Sequence, residues 1–459
     1  MRSKARSSAV LAGMAALLAL EALAFGGVYA WGALILQLGS LVLLLVWALD
    51  QVRRGRIAIV ASPLYWPALG FALLVAAQLV FGLSQYRYAT WNSALNYAAY
   101  GTLMFLAAQT LADRSQRNRL LRALAWFGTA VAMFALVQKL AGNGKLYWFW
   151  PTEISIFFGP YINPNNYAGL MELLIPAALV LALRREQNTA ARALYAVAAA
   201  VMAASIFVSG SRGGMLALTA ELAAFLLYCA SERRTRRTAL AVVAVLVAAF
   251  ALSEWLNGGE ALRRIESIPA LDASGSQYSR LLIARDTLHM FAARPLAGWG
   301  LGAFSNVFPE FRRFSGDLLI NYAHNDYLQL LAEAGLLGAA LAAWFLWGVF
   351  RGSRRALRYW RLPQSGSGLT LAALVGCSGV LVHSVSDFNL QIPANAALFY
   401  VLCAAACYRP AYAKGDEVVP VAFTSSRQPP VLLDAILSEE DADSAEDAAD
   451  PSEDNGAGL

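Results

Sequence analysis

Charged residues are scarce in this chain. Only 14% of its 459 residues are Asp, Glu, Lys or Arg, whereas a soluble domain carries about 25%. Hydrophobic residues make up 58% of the sequence, and the mean hydropathy is +0.50. This balance excludes a soluble globular protein. It predicts an all-α polytopic membrane protein, in which apolar helices of about 20 residues cross the bilayer.

Cysteine and histidine are also rare, which limits the chemistry that the chain can perform. The four cysteines all fall inside apolar runs, as small buried hydrophobes do, and not in disulfide or zinc patterns. No outward-facing set of His, Cys, Asp and Glu has metal-ligand spacing, so we expect neither a metal nor another cofactor. Three histidines, His289, His324 and His383, are the candidates for a proton carrier near neutral pH.

Nucleotide-binding motifs are missing as well. Gly298, Gly300 and Gly302 alternate, but no strand precedes them and no GK[ST] follows. We interpret these glycines as a tight turn on the membrane surface, with Trp299 and Phe304 as interfacial anchors. The net charge of +6 follows membrane topology and does not indicate a nucleic-acid partner.

Long apolar runs are what the chain has in abundance. Twelve of them have about the length that a bilayer requires. They lie near 9–26, 31–49, 64–83, 93–112, 120–140, 165–183, 190–209, 213–230, 238–256, 325–350, 369–388 and 393–408. We therefore predict nine transmembrane helices in 1–256, a long periplasmic loop with short helices in 257–324, and three further helices in 325–410. Residues 411–459 are rich in Asp, Glu, Ala and Ser, which predicts a disordered acidic tail.

The basic residues define an orientation for these helices. Alternate loops and the two terminal segments hold 25 of the 36 Lys and Arg, and this enrichment marks the cytoplasmic side of a membrane. Both termini are therefore predicted to be cytoplasmic. Seven basic residues of the opposite side lie in 257–324. Either this loop crosses regardless of its charge, or its arginines bind an anionic ligand.

The predicted outer face carries the candidate functional residues. Arg212 lies in a short Ser-Arg-Gly-Gly turn, where it either snorkels to the interface or binds phosphate oxygens with its planar fork. Arg280 and Arg294 belong to a predicted loop helix that Pro295 ends, and an arginine of this helix could instead pair with Asp286 or Glu266.

Amides and a histidine add to these arginines. Asn165 lies in an aromatic, proline-rich loop, where it either caps a helix or hydrogen-bonds a sugar or phosphate. His324 ends a polar loop at the mouth of an apolar helix, with Asn325 and Asp326 beside it. A neutral imidazole in this position can take a proton from an attacking hydroxyl.

A second histidine lies near the outer end of the eleventh run. His383 and Asp387 are four residues apart and form a possible pair. The sequence leaves open whether this pair contacts the candidate site.

The spacing of several motifs resembles one known family. His324 and Asn325, nine further residues and Gly335-Leu-Leu-Gly338 are similar to the signature of the O-antigen ligase and polymerase superfamily. The Ser-Arg-Gly turn at 211–213, the Ser279-Arg280 helix start and the segment 295–304 also fit it. The resemblance covers about 190–350, and the segment 163–165 adds to it.

The resemblance implies a GT-C-like, metal-independent, inverting glycosyltransferase in the bacterial inner membrane. Such an enzyme moves a glycan from an undecaprenyl diphosphate carrier to an acceptor hydroxyl on the periplasmic face. His324 would be the catalytic base. Arg212 and Arg280 would hold the diphosphate, with Arg294, Asn325, Asp326 and Asn165 as further substrate-binding residues.

Three functions remain open at this point. The first is an O-antigen ligase that uses lipid A-core as acceptor, and the second is an O-antigen or exopolysaccharide polymerase that joins lipid-linked repeat units. The third is a non-catalytic transporter of lipid-linked glycans. A transporter requires polar groups near the bilayer midplane, where acidic residues are sparse, so the sequence favours an enzyme.

Fusions to alkaline phosphatase test the predicted topology. The reporter is active only outside the cytoplasm, so we expect activity after about residue 270 or 310 and none near 235 or 356. Activity of a fusion near 235 would show that the orientation is the opposite of the predicted one and that His324 lies on the cytoplasmic side.

Overall fold

The computed structural model describes residues 2–55, 57–151, 157–184, 187–229, 276–315, 319–357 and 366–408, with scattered positions between 236 and 251. Three predicted features lie wholly or mostly outside these residues. They are the ninth apolar run at 238–256, the first part of the loop at 257–275, and the acidic tail at 411–459.

Helices make up almost all of the described structure. Their bounds are α1 Arg2–Leu23, α2 Ala30–Arg53, α3 Tyr65–Val80, α4 Arg87–Thr110, α5 Arg114–Leu140, α6 Pro164–Leu183, α7 Thr189–Ser209, α8 Arg212–Cys229, α9 Ser276–Ala293, α10 Phe304–Phe311, α11 Asp326–Leu357, α12 Gly368–His383 and α13 Pro393–Ala406. Eleven of the twelve predicted runs coincide with one of these helices.

The all-helical, multi-span character of the prediction is confirmed. Among the described residues, six helices (α2, α5, α6, α7, α8 and α11) are long and apolar enough to cross a membrane, and four shorter apolar helices accompany them. The total of twelve spans and the GT-C-like arrangement stay predictions.

Helix α6 forms the centre of the bundle. Asn163 caps its N-terminus by accepting a hydrogen bond from the Asn165 amide, and Pro164 occupies the first turn, where no amide hydrogen is needed. Every residue from Asn166 to Leu183 is buried. Helices α5, α7, α8 and α12 pack around it. Its capped end therefore has a fixed position among the other helices.

Helix α11 differs from the single apolar helix predicted near 325–350, because it is interrupted at Gly335 (φ 65°, ψ −164°). The segment 295–300 lies against this break and completes its hydrogen bonds. The amides of Leu336 and Leu337 donate to the carbonyls of Pro295 and Leu296 at 2.8 and 3.1 Å. In the other direction, the amides of Trp299 and Gly300 donate to α11 at 3.0 Å each. The segment 295–300 and the part of α11 around Gly335 thus hold each other in place through these hydrogen bonds.

The segment between α8 and α11 contains a small core of its own in its described part. Trp299 and Phe304 are buried there with Ile283, Met290 and neighbouring apolar side chains. The indole of Trp299 donates to the carbonyl of Met290 at 2.8 Å. The expectation that Trp299 and Phe304 serve as exposed interfacial anchors is therefore wrong: they fill this core and fix the glycine turn onto α11.

Gly335→Ala tests the role of the helix break. Only glycine adopts this φ/ψ region readily, and strain there costs about 1–3 kcal/mol. A Cβ at Gly335 would also lie 2.3 Å from the carbonyl oxygen of Leu296. We expect a clear drop in the apparent melting temperature of the detergent-solubilised protein. Gly101→Ala is the matched control, because a Cβ at that helical position meets nothing within 4 Å. Equal melting temperatures for the two variants would contradict this account of the break.

Candidate active site

The site is organised by Asp387, in the turn between α12 and α13. Its side chain is 1% exposed. The Asp387 amide donates to the carbonyl of His383 at 3.1 Å, and the Phe388 amide donates to Asp387 Oδ1 at 2.9 Å. These contacts fix the carboxylate within the turn.

Three predicted site residues from distant parts of the chain meet at this carboxylate. Asn165, in the first turn of α6, donates its amide Nδ2 to Asp387 Oδ2. Arg280 of α9 approaches the same oxygen at 3.5 Å and donates to the carbonyl of Ser386 at 2.8 Å. The Nδ1 atom of His324 lies 3.6 Å from Asp387 Oδ1. The carboxylate therefore links α6, α9 and the mouth of α11.

These neighbours determine the charge of Asp387. Burial opposes ionisation, but the His324 imidazole and the Arg280 guanidinium outweigh it and hold the pKa of Asp387 below its ordinary value of 3.8. Asp387 is consequently a carboxylate at neutral pH and accepts hydrogen bonds from Asn165, Arg280 and the Phe388 amide.

His324 has an unusual backbone conformation, with φ at 49°. Few residues with a Cβ adopt positive φ, and those that do are often at functional sites. The imidazole packs edge-on against Phe388, with ring centroids 4.9 Å apart. Its Nδ1 atom is buried beside Asp387, while 30% of the side chain is exposed. The ring is thus held on one side and accessible on the other.

Asn325 and Asp326 contact the protein itself. The Asn325 side chain accepts from the Leu328 amide at 2.9 Å, as a helix cap does, and donates to the carbonyl of Val385 at 2.8 Å. Asp326 is buried and accepts from the Ser384 hydroxyl at 2.8 Å and the Leu390 amide at 3.1 Å. Both residues join the start of α11 to the Asp387 turn, and substrate binding by them stays a prediction.

Arg212 begins α8 close to the same turn. The neighbouring Gly213 lies against His383 and Ser386, and a Cβ there would be 2.5 Å from His383 Nε2. Within the described part of the chain, the Arg212 side chain has no hydrogen bond or ion pair. Its guanidinium is therefore available to a ligand.

Arg294 lies away from these contacts. Its guanidinium donates to the carbonyl of Leu83 at 3.1 Å and stacks over the Trp299 ring at 4.0 Å. These contacts tie the end of α9 to the α3–α4 turn. A role for Arg294 in substrate binding is still a prediction, although none of its contacts joins it to Asp387.

The central position of Asp387 was not predicted. His383 does not pair with it: His383 Nδ1 lies 2.7 Å from Glu172 Oε1, with both side chains fully buried. The signal in the sequence was a charged residue between two apolar helices, on the same predicted side as His324. Sequence alone did not show which partner it has.

Comparison with known proteins finds one matching family model. Residues 196–343 match the model of the O-antigen ligase family. This confirms the resemblance to the O-antigen ligase and polymerase superfamily. The matched stretch contains Arg212, Arg280 and His324, whereas Asn165 and Asp387 lie outside it. No curated protein matches the chain.

Metal ligands are not grouped in the part of the chain that the structure describes. None of its sets of three or more His, Cys, Asp and Glu is arranged to hold a metal ion. Metal independence of the chemistry is a prediction for the assay.

The charge of Asp387 is testable through the pH dependence of stability. A lowered pKa in the folded state stabilises the protein above the ordinary value of 3.8, and this contribution is lost as the pH falls through the folded-state pKa. Asp387→Asn retains the shape and removes the charge. We expect it to cost about 1.5–3 kcal/mol at neutral pH, as for a hydrogen bond to a charged group. The difference from wild type should shrink below about pH 4 in thermal unfolding. A difference that stays constant down to pH 3 would show that the charge is not responsible.

Proposed function

We propose that this protein is an integral membrane glycosyltransferase of the O-antigen ligase type. It moves a glycan from an undecaprenyl diphosphate carrier to an acceptor hydroxyl on the periplasmic face of the inner membrane. The observation that carries the proposal is the convergence of Asn165, Arg280 and His324 on Asp387. Two of these four residues come from the stretch that matches the O-antigen ligase family.

His324 is the general base in this proposal. Its Nδ1 faces a carboxylate, which favours the tautomer with a proton on Nδ1 and a lone pair on Nε2. Nε2 then accepts the proton of the acceptor hydroxyl. Asp387 stabilises the imidazolium that forms, because its negative carboxylate lies beside the ring and attracts the positive charge.

Arginines hold the leaving group. Arg212 has no protein partner among the described residues and offers a fork that matches phosphate oxygens. Arg280 uses two of its nitrogens on Ser386 and Asp387, with 27% of its side chain exposed. Arg212 is therefore the main diphosphate ligand, and Arg280 adds positive charge where negative charge develops.

The proposed step balances as a single displacement. The acceptor oxygen loses its proton to His324 Nε2 and forms a bond to the anomeric carbon of the donor sugar. The bond from that carbon to the diphosphate oxygen breaks, and undecaprenyl diphosphate leaves with the electron pair. Because the attack comes from the side opposite the leaving group, the anomeric configuration inverts.

Purified protein in liposomes tests the base assignment. With lipid-linked glycan and acceptor supplied, we expect His324→Ala to lose about 10²–10⁴-fold in rate, the contribution of one positioned proton carrier. His324→Gln should lose nearly as much, because glutamine donates and accepts hydrogen bonds but does not carry the proton. His289→Gln makes the same change on α9 at a histidine with no proposed role and should retain activity. Near-wild-type turnover by His324→Gln would overturn the base assignment.

The acceptor in the same assay separates ligase from polymerase. One arm contains lipid A-core, and the other contains only lipid-linked repeat units. Transfer to lipid A-core supports the ligase. Chain growth in its absence supports a polymerase, and no transfer in either arm would contradict a glycosyltransferase.

A further inference from the structure

A polar cavity of about 250 Å³ lies beside the site. Its walls come from α4, the glycine turn, the segment before His324, the first half of α11 and the turn after Asp387. None of the residues used in the proposed chemistry lines it. The residues that matter below are Tyr97, Tyr100, Asn321, Tyr322 and Glu333.

Several polar groups of this cavity have no protein partner. The phenol groups of Tyr97, Tyr100 and Tyr322 and the amide of Asn321 make no hydrogen bond to other described residues. Tyr100 is 3% exposed, and a phenol this deeply buried normally finds a partner. The cavity therefore offers unused donors and acceptors to a ligand.

The charge and polarity of the lining residues limit the class of ligand that the cavity can bind. None of the described lining residues is Lys or Arg, and the acidic residue Glu333 lies among them; a site without a cation is unsuited to a phosphate. Serine and amide side chains line most of the remainder, which disfavours an acyl chain. Aromatic faces with amides and hydroxyls suit an uncharged, hydroxyl-rich ring. The volume lies just below the roughly 300–1,000 Å³ of small-molecule pockets, which suits one sugar ring better than a whole oligosaccharide.

Two stacked rings connect the cavity to the base. Tyr322 stacks on Phe388 with centroids 4.3 Å apart and an interplanar angle of 16°. Phe388 also packs edge-on against His324, with 4.9 Å between ring centroids. Arg280, Asp387, His324, the two stacked rings and the cavity thus follow one another through direct contacts. His324 therefore contacts both the carboxylate that binds Arg280 and a ring that packs against the cavity wall.

We propose that this cavity binds a sugar ring of the acceptor glycan. The bound ring holds the acceptor so that a hydroxyl close to that ring faces His324. The inference rests on the proposed function. In an in-line displacement the acceptor and the leaving group lie on opposite sides of the anomeric carbon. If the arginines hold the diphosphate, the acceptor must approach the anomeric carbon from the side away from them, and the cavity, which none of them lines, offers a site for that acceptor.

Tyrosine-to-phenylalanine variants test the cavity. Tyr97→Phe and Tyr100→Phe remove one hydroxyl each and keep the rings that pack together at 5.5 Å. Tyr400→Phe is the matched control, because Tyr400 stacks on Tyr100 at 5.8 Å in the same aromatic group but does not line the cavity. In the liposome assay, we expect each cavity variant to raise the acceptor KM by about 2–10-fold, the loss of one neutral hydrogen bond. The donor KM and the kcat at saturating acceptor should not change.

Other outcomes would overturn the inference. If transfer is intact and the acceptor KM is unchanged in both cavity variants, the acceptor does not bind in the cavity. That result would not contradict the proposed function. A rise in donor KM would place the donor sugar in the cavity instead. A similar effect of Tyr400→Phe would show that aromatic packing, not hydrogen bonding, is responsible.

A binding measurement separates this inference from the proposed function. Saturation-transfer NMR on the detergent-solubilised protein requires no turnover, and its probes are the oligosaccharide freed from lipid A and the free repeat unit. Contact with either glycan that weakens in Asn321→Ala and Tyr97→Phe supports the cavity even if no transfer occurs. Absence of contact with both glycans would overturn it.

Discussion

The Asp387 carboxylate joins three parts of the chain that are distant in sequence. Its partners are the capped end of α6, the helix α9 and His324, two residues before the start of α11. A buried charge is stable only when its neighbours compensate it, so the carboxylate keeps these elements together. The same contact sets the orientation of the imidazole. The contacts that hold these elements together therefore also position the His324 side chain.

The turn that carries Asp387 is itself anchored from below and from the side. Below it, His383 and Glu172 form a fully buried hydrogen bond of 2.7 Å between α12 and α6. From the side, Asp326 accepts from Ser384 and Leu390 at the two ends of the turn. Buried polar groups of this kind are costly unless they are paired, and pairing them leaves the turn little freedom. A rigid support of this kind is what a positioned base requires.

The sequence was most informative where local physics decides the outcome. Apolar length alone located eleven described helices, and the polar residues around His324 marked the mouth of α11. It could not bring Asn165 to Asp387, because these residues are 222 positions apart and meet only through the packing of α6 against α12. The break at Gly335 was also missed, since apolar composition continues through it and only the docked segment 295–300 makes it stable.

The interruption of α11 gives a physical meaning to the length of the family motif. Between the mouth at Asp326 and the break at Gly335 lie nine helical residues, Asp326–Ala334, or about 13.5 Å at 1.5 Å per residue. Both ends of this half-helix are fixed, one to the Asp387 turn and the other to the segment 295–300. Adding or removing one residue would shift the ends by about 1.5 Å and rotate them by about 100° relative to each other. The spacing thus fixes both the distance and the rotation between the residues at the mouth of α11 and the segment 295–300.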